Sequence, residues 1–515
     1  MRASNATIHV RCVLSVHLGR RPPASQSPRW GRDRVASTID AWWSRISLRR
    51  AVCRGNRRVN SLRSMRLLLI TYGYPPFPWV GSNRWAAMTT HLRKMGHEVS
   101  VIAASAGLSE ERDPDVSRTP DLLALPAIRR ALRAPPFAGP ADSPSRRFPP
   151  TIHERILVPD PKLLGWAPGA FAAAVRVLRR HPVDCIITTS PYESTHLIAL
   201  ALGRRRPAWV ADLQDGWTFE PWRPKLPLSV QRNIDRWLER QVLSTADAIT
   251  AMPRAVAQDL RNRFGSTVHH ISDGWDPDLD LDVSSAPLPR FEPGPVTLVY
   301  TGTLWRPDGQ DPTPMFEALA RLRAEEPRLG AKLELVIAGP LSRIEAQRLK
   351  ELPTYGAVRH VGQLSRVGAV ALQRCADALI LFTTPHRDMV TGKLFEYLAS
   401  GRPIVVTPDG NEAASIVRDT GTGVAVRLDD RVALAQTLRD VVTGRLEATY
   451  RPHGLTSFRY PTPAVAMTEV IREAMDRAAV RRRDGTAATP PTQPPRRAGP
   501  PRQQTVAAGL KTRLR

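Results

Sequence analysis

Cysteine is scarce in this chain of 515 residues, which contains only Cys12, Cys53, Cys185 and Cys375. None of the four belongs to a C-x-x-C pair, and none stands near histidines at the spacing of metal ligands. The sequence therefore predicts neither a disulfide framework nor a structural zinc site.

Long apolar runs are also missing. No segment approaches the ~18 apolar residues that a membrane-spanning helix needs. The first residues lack a compact apolar stretch followed by a small-residue cleavage site, so they do not read as a secretory signal. From these absences we expect a cytoplasmic protein.

Acidic residues are rare at the two ends of the chain. Residues 1–64 hold fourteen arginines against Asp33 and Asp40, and residues 481–515 hold eight arginines and Lys511 against Asp484. The ends thus carry +12 and +8 of the net charge of +26, which leaves +6 for the body. The basic balance belongs mostly to the ends, and an anionic partner such as nucleic acid would have to bind there.

Each end has its own interpretation. Residues 481–515 are rich in Pro, Arg, Gln and Thr, so we expect a disordered tail. Residues 1–64 form a basic extension with three open interpretations: a targeting segment, a membrane-touching arm, or translated sequence upstream of a start at Met65. We favour the last, because MRLLLITYGYPP reads as a start methionine, a buried strand and a turn.

The body alternates strand-like and helix-like segments in two series, interrupted by an irregular, Pro- and Arg-rich insertion at 105–159. The predicted strands are Leu67–Thr71, Val99–Ala103, Asp184–Thr189, Trp209–Asp212 and Ala248–Ala251, followed by Val296–Thr301, Leu333–Ala338, Ala378–Phe382 and Pro403–Thr407. Such a pattern predicts an α/β protein of two Rossmann-like, doubly wound domains that face each other across a cleft. We place the domains at 65–285 and 286–460.

Two short patterns resemble binding motifs but have plainer interpretations. The junction DGWDPDLDLD, Asp273–Asp282, has the D-x-D spacing of some metal sites, yet it reads better as an acidic interdomain linker. The stretch GTGVAV at Gly421 lacks the third glycine of a dinucleotide fingerprint, so we predict a turn into a strand.

The segment TGKLFEYLASGRP, Thr391–Pro403, carries two charges in an otherwise apolar helix. Thr391 is the predicted N-cap and Gly401 the predicted C-terminal stop. Lys393 and Glu396 share a face at three-residue spacing. One interpretation is a surface ion pair; the other is a ligand site, in which the helix N-terminus and the lysine hold phosphates and the glutamate accepts hydrogen bonds from a ribose.

This segment, with Asp388 eight positions before Glu396, resembles the E-x7-E donor motif of retaining glycosyltransferase family 4. The resemblance covers most of 65–475 and includes LLLITYGYPPFPWVGSNRWA, HHISDGWDP and YTGTLWRPDG. It implies a GT-B fold, with an acceptor domain, a nucleotide-sugar domain and a last helix, 461–480, that returns to the first domain.

The resemblance also implies roles for individual residues. Glu396 would hold the donor ribose, Asp388 would approach the sugar hydroxyls, and Gly81, in the loop after the first strand, would let backbone approach the donor. The diphosphate would be held by Thr391, Gly392 and Lys393.

The sequence departs from the family pattern in three places. Asp388 replaces the first glutamate of the E-x7-E motif. Arg306 is the nearest cation after the YTGTL strand. It would bind the donor in place of the arginine and lysine that many members carry there, or it is a solvated loop residue. Gln214 followed by Asp215 stands where many members have a histidine. We assign Asp215 to the first-domain side of the reaction centre. His196 and His360 lie in apolar segments, where core roles are expected.

The resulting hypothesis is a glycosyltransferase with a nucleotide-sugar donor, no metal or other cofactor, and an acceptor that is a glycan, a lipid-linked molecule or a small molecule. Arg129, Arg130 and Arg133 offer contact with an anionic membrane at its inner face. The alternatives are a nucleotide-sugar epimerase or phosphorylase of the same fold, and a basic protein that binds nucleic acid or membrane.

Overall fold

The structure is a computed structural model. It describes residues 64–77, 80–105, 113–124, 156–219, 226–277, 294–305, 310–352, 356–388 and 390–484. Most of the two basic ends, 1–63 and 485–515, and the arginines at 129, 130 and 133 lie outside the described residues.

The described residues form two parallel sheets. The first contains β1 Arg66–Ile70, β2 Glu98–Ala104, β3 Val116–Thr119, β4 Cys185–Thr189, β5 Ala208–Leu213, β6 Ala248–Ala251 and β7 Val268–His270. The second contains β8 Val296–Thr301, β9 Leu333–Ala338, β10 Val358–His360, β11 Ala378–Phe382, β12 Ile404–Thr407 and β13 Gly423–Ala425. The spatial orders are β3-β2-β1-β4-β5-β6-β7 and β10-β9-β8-β11-β12-β13.

Helices connect these strands. Their bounds are α1 Val80–Lys94, α2 Lys162–Gly165, α3 Ala167–Arg180, α4 Ser194–Ala201, α5 Ser229–Thr245, α6 Arg254–Phe264, α7 Thr313–Glu325, α8 Pro327–Gly330, α9 Arg343–Glu351, α10 Arg366–Cys375, α11 Gly392–Ser400, α12 Glu412–Asp419, α13 Arg431–Val442, α14 Arg445–Thr449 and α15 Thr462–Asp484. The predicted doubly wound architecture is confirmed.

Both faces of each sheet are covered, which explains why the strands read as continuous apolar runs. In β1, Leu68 and Ile70 join one core while Leu67 and Leu69 join the core on the opposite face. Successive strand side chains point to opposite faces, so burying all four residues from Leu67 to Ile70 needs helices on both sides.

The last helix belongs to the core of the first sheet. Ala464, Met467, Ile471 and Ala474 of α15 are buried in the cluster that also contains Leu67 and Leu69 of β1. The helix continues to Asp484 rather than ending at 480, so the start of the expected tail at 481 is wrong for its first four residues.

Two other expectations are corrected. The segment 105–159 contains an ordered strand, β3, which pairs in parallel with β2 from Val101↔Val116 to Ala104↔Thr119. The strand escapes detection because VSRT is short and half polar. His360 lies in β10 as expected but is exposed, with Nε2 2.8 Å from the carbonyl of Gly339, so it has no core role.

Candidate functional site

In each sheet the strand order reverses beside the first strand, between β1 and β4 and between β8 and β11. Loops leaving neighbouring strands diverge at such a point and leave a crevice at the carboxyl edge of the sheet. Chain segments from both domains and the connection between them enclose a cavity of about 590 Å³.

Helix α11 forms one wall of this cavity. The segment begins and ends as its sequence predicts: the Thr391 hydroxyl accepts a hydrogen bond from the Lys393 amide, and Gly401 ends the helix at φ 72° in the left-handed region. Its buried face holds Leu394 and Leu398. The opposite face turns Gly392, Lys393 and Glu396 towards the cavity.

The amino group of Lys393 lies at the carboxyl end of β8. Nζ donates to the Tyr300 hydroxyl at 3.1 Å and stands 5.1 Å from the centre of that ring. It passes so close to Gly302, at φ 130°, that a Cβ built there would collide with Nζ. A glycine at this position therefore permits the lysine to reach the edge of the sheet.

Glu396 faces a different cation. Its Oε1 lies 3.8 Å from Nη2 of Arg366 on α10, and about a third of its side chain is exposed. An exposed pair at this distance contributes little to stability. Lys393 and Glu396 therefore each contact a group on another element, and both remain on the cavity wall.

The opposite wall carries a buried ion pair. Arg84 of α1 donates from Nη1 and Nη2 to Asp212 of β5, at 2.8 and 3.3 Å, and both side chains are fully buried. Trp85, Thr189 and Thr250 donate three more hydrogen bonds to the same carboxylate, at 2.7–2.9 Å. A buried charge pair persists only when its remaining hydrogen-bonding groups are satisfied in this way.

Burial by itself would raise the pKa of Asp212. The charge of Arg84 and the hydrogen bonds to the carboxylate outweigh this effect, so the pKa of Asp212 is lowered. Asp212 is therefore ionised across the physiological range and fixes the Arg84 guanidinium beside the cavity. The sequence carried a signal for this pair, since charged residues inside apolar segments such as WVADL are seldom buried unless paired.

Asp273 lies in the junction that the sequence analysis interpreted as an acidic interdomain linker, and that interpretation did not predict its place at the cavity. It lines the cavity, is buried, and accepts a hydrogen bond from the Gly274 amide at 2.8 Å. Burial raises the pKa of Asp273 from 3.8 to about 6, and the carboxylates of Asp212 and Glu396 add to the rise, whereas Arg84 opposes it.

The linker itself is held by backbone hydrogen bonds. Trp275 donates to the Phe458 carbonyl at 2.9 Å, and Tyr460 donates to the Trp275 carbonyl at 3.0 Å. A Cβ on Gly274 would collide with the Phe458 carbonyl, so this close crossing requires glycine. The next acid, Asp276, contacts His91 at 2.9 Å. Asp273 and Asp276 thus serve different partners.

Positively charged side chains outnumber acidic ones on the cavity walls. The positively charged side chains are Arg84, Arg366, Arg374, Lys393 and Arg459, and the acidic ones are Asp273, Asp276 and Glu396. With Arg84 neutralised by Asp212, four cations face three acids on the cavity walls, and this excess favours an anionic ligand.

The other predicted site residues lie elsewhere. Asp388 is buried beside Glu412 of α12 rather than on the cavity wall. Asp215 follows β5 and is half-buried at the carboxyl edge of the first sheet. Gly81 lies in the first turn of α1, not in the preceding loop, and packs against the side chain of Gln214. Arg306 lies outside the described residues.

His196 has the expected core role. It is fully buried in α4, its Nδ1 lies 2.8 Å from the Thr188 hydroxyl, and its ring stacks on Trp217. Burial lowers the pKa of His196 to about 4, so the ring is neutral at physiological pH.

Family models match both domains. The model described as Glycosyltransferase Family 4 matches residues 81–279, and the model described as Glycosyl transferases group 1 matches residues 295–443. The first match includes Asp212 and six of the seven strands of the first sheet, and the second includes α11. A comparison with curated protein sequences finds no match.

Solved structures of similar fold align with most of this chain. The α,α-trehalose 6-phosphate synthase of Burkholderia multivorans is 14% identical, with a TM-score of 0.54 over 82% of this chain and 100% of that one. Sucrose-phosphate synthase of Thermosynechococcus elongatus is 14% identical, with a TM-score of 0.50 over 80% and 99%. At such identities the likeness shows the fold, which is GT-B.

Proposed function

Because this chain is a glycosyltransferase, with a family 4 domain followed by a group 1 domain, we propose that it transfers a hexosyl group from a nucleotide-sugar with retention of anomeric configuration. The observation that supports this most is the position of Gly392, Lys393 and Glu396 on one wall of a cation-rich cavity between the two domains. A cavity of about 590 Å³ is within the usual range for small-molecule sites.

In this proposal the N-terminal end of α11 and Lys393 hold the donor diphosphate. The first amides of a helix have no intrahelical acceptor and carry the positive end of the helix dipole, so they favour phosphate oxygens. Lys393 and Arg366 add positive charge beside them. Glu396 accepts hydrogen bonds from the ribose hydroxyls, for which an ionised carboxylate is a strong acceptor.

The chemistry that fits this arrangement needs little covalent participation by the protein. The acceptor oxygen forms a bond to the anomeric carbon on the face from which the nucleoside diphosphate departs, and its proton passes to the leaving phosphate oxygen. The protein positions both substrates and stabilises negative charge that develops on the diphosphate. We assign that stabilisation to Lys393, Arg366 and the helix end, with no metal ion.

The acceptor side is assigned to the first domain. Asp215 lies at the carboxyl edge of the first sheet, where ligands of doubly wound domains bind. In the proposal Asp215 orients a hydroxyl of the acceptor or of the donor sugar. Asp388 has no substrate contact in it, because it is buried beside Glu412 and does not line the cavity.

Calorimetric titration tests the donor assignment. Lys393→Met should weaken binding of a nucleoside diphosphate much more than binding of the nucleoside, because only the former carries phosphates. Glu396→Gln should weaken both by roughly 1–3 kcal/mol, because both present the ribose diol. Titrations repeated with EDTA should give the same affinities.

Lys350→Met on α9 and Glu469→Gln on α15 are matched controls, since both side chains are exposed outside the cavity. They should bind both ligands as the parent protein does. Unchanged affinities in the Lys393 and Glu396 variants would show that α11 is a core helix with no role in donor binding. Loss of nucleotide binding in EDTA would refute the proposal that transfer needs no metal ion.

A further inference from the structure

The first three turns of helix α5, Ser229–Thr245, are amphipathic in the reverse of the usual sense, whereas its last turns bury Val242 and Leu243 in the core. Its buried positions include Gln231, Asp235 and Glu239, whereas Val230, Ile234 and Trp237 are exposed. Surface helices ordinarily turn their apolar residues to the core and their polar residues to solvent. A helix arranged the other way presents an apolar face for something outside the described fold.

The inward acids are firmly held, so the orientation of α5 is fixed. Asp235 accepts a hydrogen bond from Trp217 Nε1 at 2.9 Å. Glu239 accepts from the Thr218 hydroxyl at 2.7 Å and from both terminal nitrogens of Arg263, at 2.6 and 3.1 Å. Rotation of the helix to bury its apolar face would break these bonds.

The exposed apolar residues form a continuous stripe. Val230, Ile234 and Trp237 follow i, i+4, i+7 spacing, which places them on one side of a helix. Trp237 and Val230 are 58% and 56% exposed. Leu228 precedes the helix, and Ile156 lies beside its first turn, since its carbonyl accepts from Gln231 Nε2 at 3.1 Å; both are also exposed.

Arginines line one side of this stripe. Arg232, Arg236 and Arg240 are exposed at four-residue intervals. The hydrogen bonds of Arg232 go to carbonyls of the preceding loop, and those of Arg236 go to the Arg232 carbonyl and the Asn233 side chain, so none of these bonds neutralises a charge. Because both acids of α5 point inward, its outer surface carries only positive charge.

We propose that this face of α5 docks on the surface of an anionic lipid bilayer. Tryptophan and branched aliphatic side chains enter the boundary between headgroups and acyl chains, and adjacent arginines contact lipid phosphates while their stems lie along the apolar layer. A second copy of this chain fits less well, since pairing two such faces would bring arginines against arginines. Nucleic acid would use the arginines but leave the apolar stripe in water.

The docked helix belongs to the first domain and does not line the cavity within the described residues. Docking is therefore separable from donor binding. It would bring the domain to which the acceptor is assigned to a membrane surface. No helix among the described residues is long and apolar enough to cross a bilayer, so the contact would be peripheral.

Vesicle sedimentation of the full chain tests the proposal, with phosphatidylcholine vesicles and mixed phosphatidylcholine–phosphatidylglycerol vesicles. The parent protein should bind the mixed vesicles and bind less at high salt. Arg232→Gln, Arg236→Gln and Arg240→Gln together should weaken this binding by roughly a hundredfold, since each cation near an anionic surface contributes about fivefold. Ile234→Ser with Trp237→Ser should weaken it as well, although the charge is unchanged.

The control combines Arg176→Gln, Arg179→Gln and Arg180→Gln on α3, which removes three exposed arginines from the same domain without touching α5. This variant should bind vesicles as the parent does, and circular dichroism melts should show all variants folded. The proposal is overturned if both α5 variants bind like the parent, if the α3 variant loses as much binding, or if the parent is a dimer that Trp237→Ser dissociates.

Discussion

Glu412 connects the two domains through a carboxylate that is costly to ionise. It begins α12, yet its Oε2 accepts a hydrogen bond at 2.7 Å from the amide of Arg254, the first residue of α6 in the first domain. Its Oε1 lies 3.9 Å from His270 Nε2. Burial and the charge of Asp388 raise the pKa of Glu412 from 4.5 to about 7, against the opposing amides and charge of Arg254.

The contact with His270 is not an ion pair at neutral pH. Burial and the charge of Arg254 lower the pKa of His270 to about 4, so the imidazole is neutral above pH 5. The Arg254 guanidinium reaches Asp419 at 3.8 Å, but both groups are more than half exposed, so this pair contributes little. Among the described residues, Glu412 forms no ion pair with a fully charged group, and the nearby charge of Arg254 offsets its burial only in part.

We predict that Glu412→Gln stabilises the protein at alkaline pH and much less at acidic pH. A carboxyl whose pKa is higher in the folded state binds its proton more tightly there, so its stabilising contribution is present at low pH and is lost as pH rises through the folded pKa. At ~1.4 kcal/mol per pKa unit, a rise from 4.5 to about 7 corresponds to about 3 kcal/mol. The amide keeps the shape and the acceptor for the Arg254 N–H without this loss.

Urea unfolding at a series of pH values from 5 to 8 measures the effect. The stability of Glu412→Gln relative to the parent should rise by about 2–3 kcal/mol over this range, because most of the interval between the unfolded pKa of 4.5 and the folded pKa of about 7 lies within it. Asp273 has a pKa of about 6 and titrates in the same window, but it is present in both proteins and cancels in the comparison to first order.

Glu469→Gln is the control, because it removes one negative charge from an exposed position on α15. Its stability relative to the parent should change little with pH. A pH-independent difference between Glu412→Gln and the parent would refute the reasoning, since it would mean that the carboxyl is solvated or paired in the folded protein.

Two further substitutions examine the first domain. Arg84→Met should cost about 3–5 kcal/mol in urea unfolding because it leaves the Asp212 carboxylate buried without a cation, and a cost below about 1 kcal/mol would show that solvent reaches the pair. Asp215→Asn should lower turnover far more than it lowers the melting temperature, once a donor and acceptor are known, and unchanged turnover would remove Asp215 from the site.

Local features of α11 were predictable from the sequence because they depend on neighbouring residues. The Thr391 hydroxyl caps an amide two residues away, Gly401 takes the left-handed conformation that ends the helix, and Leu394 and Leu398 lie four residues apart on the buried side. The strands Val296–Thr301 and Ala378–Phe382 were predictable for a similar reason, since buried parallel strands are short apolar runs between turns.

Strands with weak patterns were missed. VSRT of β3 and VHH of β7 contain too few apolar residues to stand out, and both are strands because an adjacent strand offers them hydrogen-bonding partners. Pairing of this kind is decided by the sheet, not by the propensity of three or four residues.

The sequence by itself determined where α11 and the main strands lie, and which residue types could hold a phosphate or a ribose, because these depend on hydrogen bonds and periodicity within a few positions. Tertiary structure alone decided that Arg84 meets Asp212 across 128 positions, that Asp273 lines a cavity with Glu396, and that α5 turns its tryptophan outward. The burial of a residue and the charges around it depend on which distant segments of the chain come together. The sequence of an amphipathic helix defines two faces, but it does not determine which of them packs against the core.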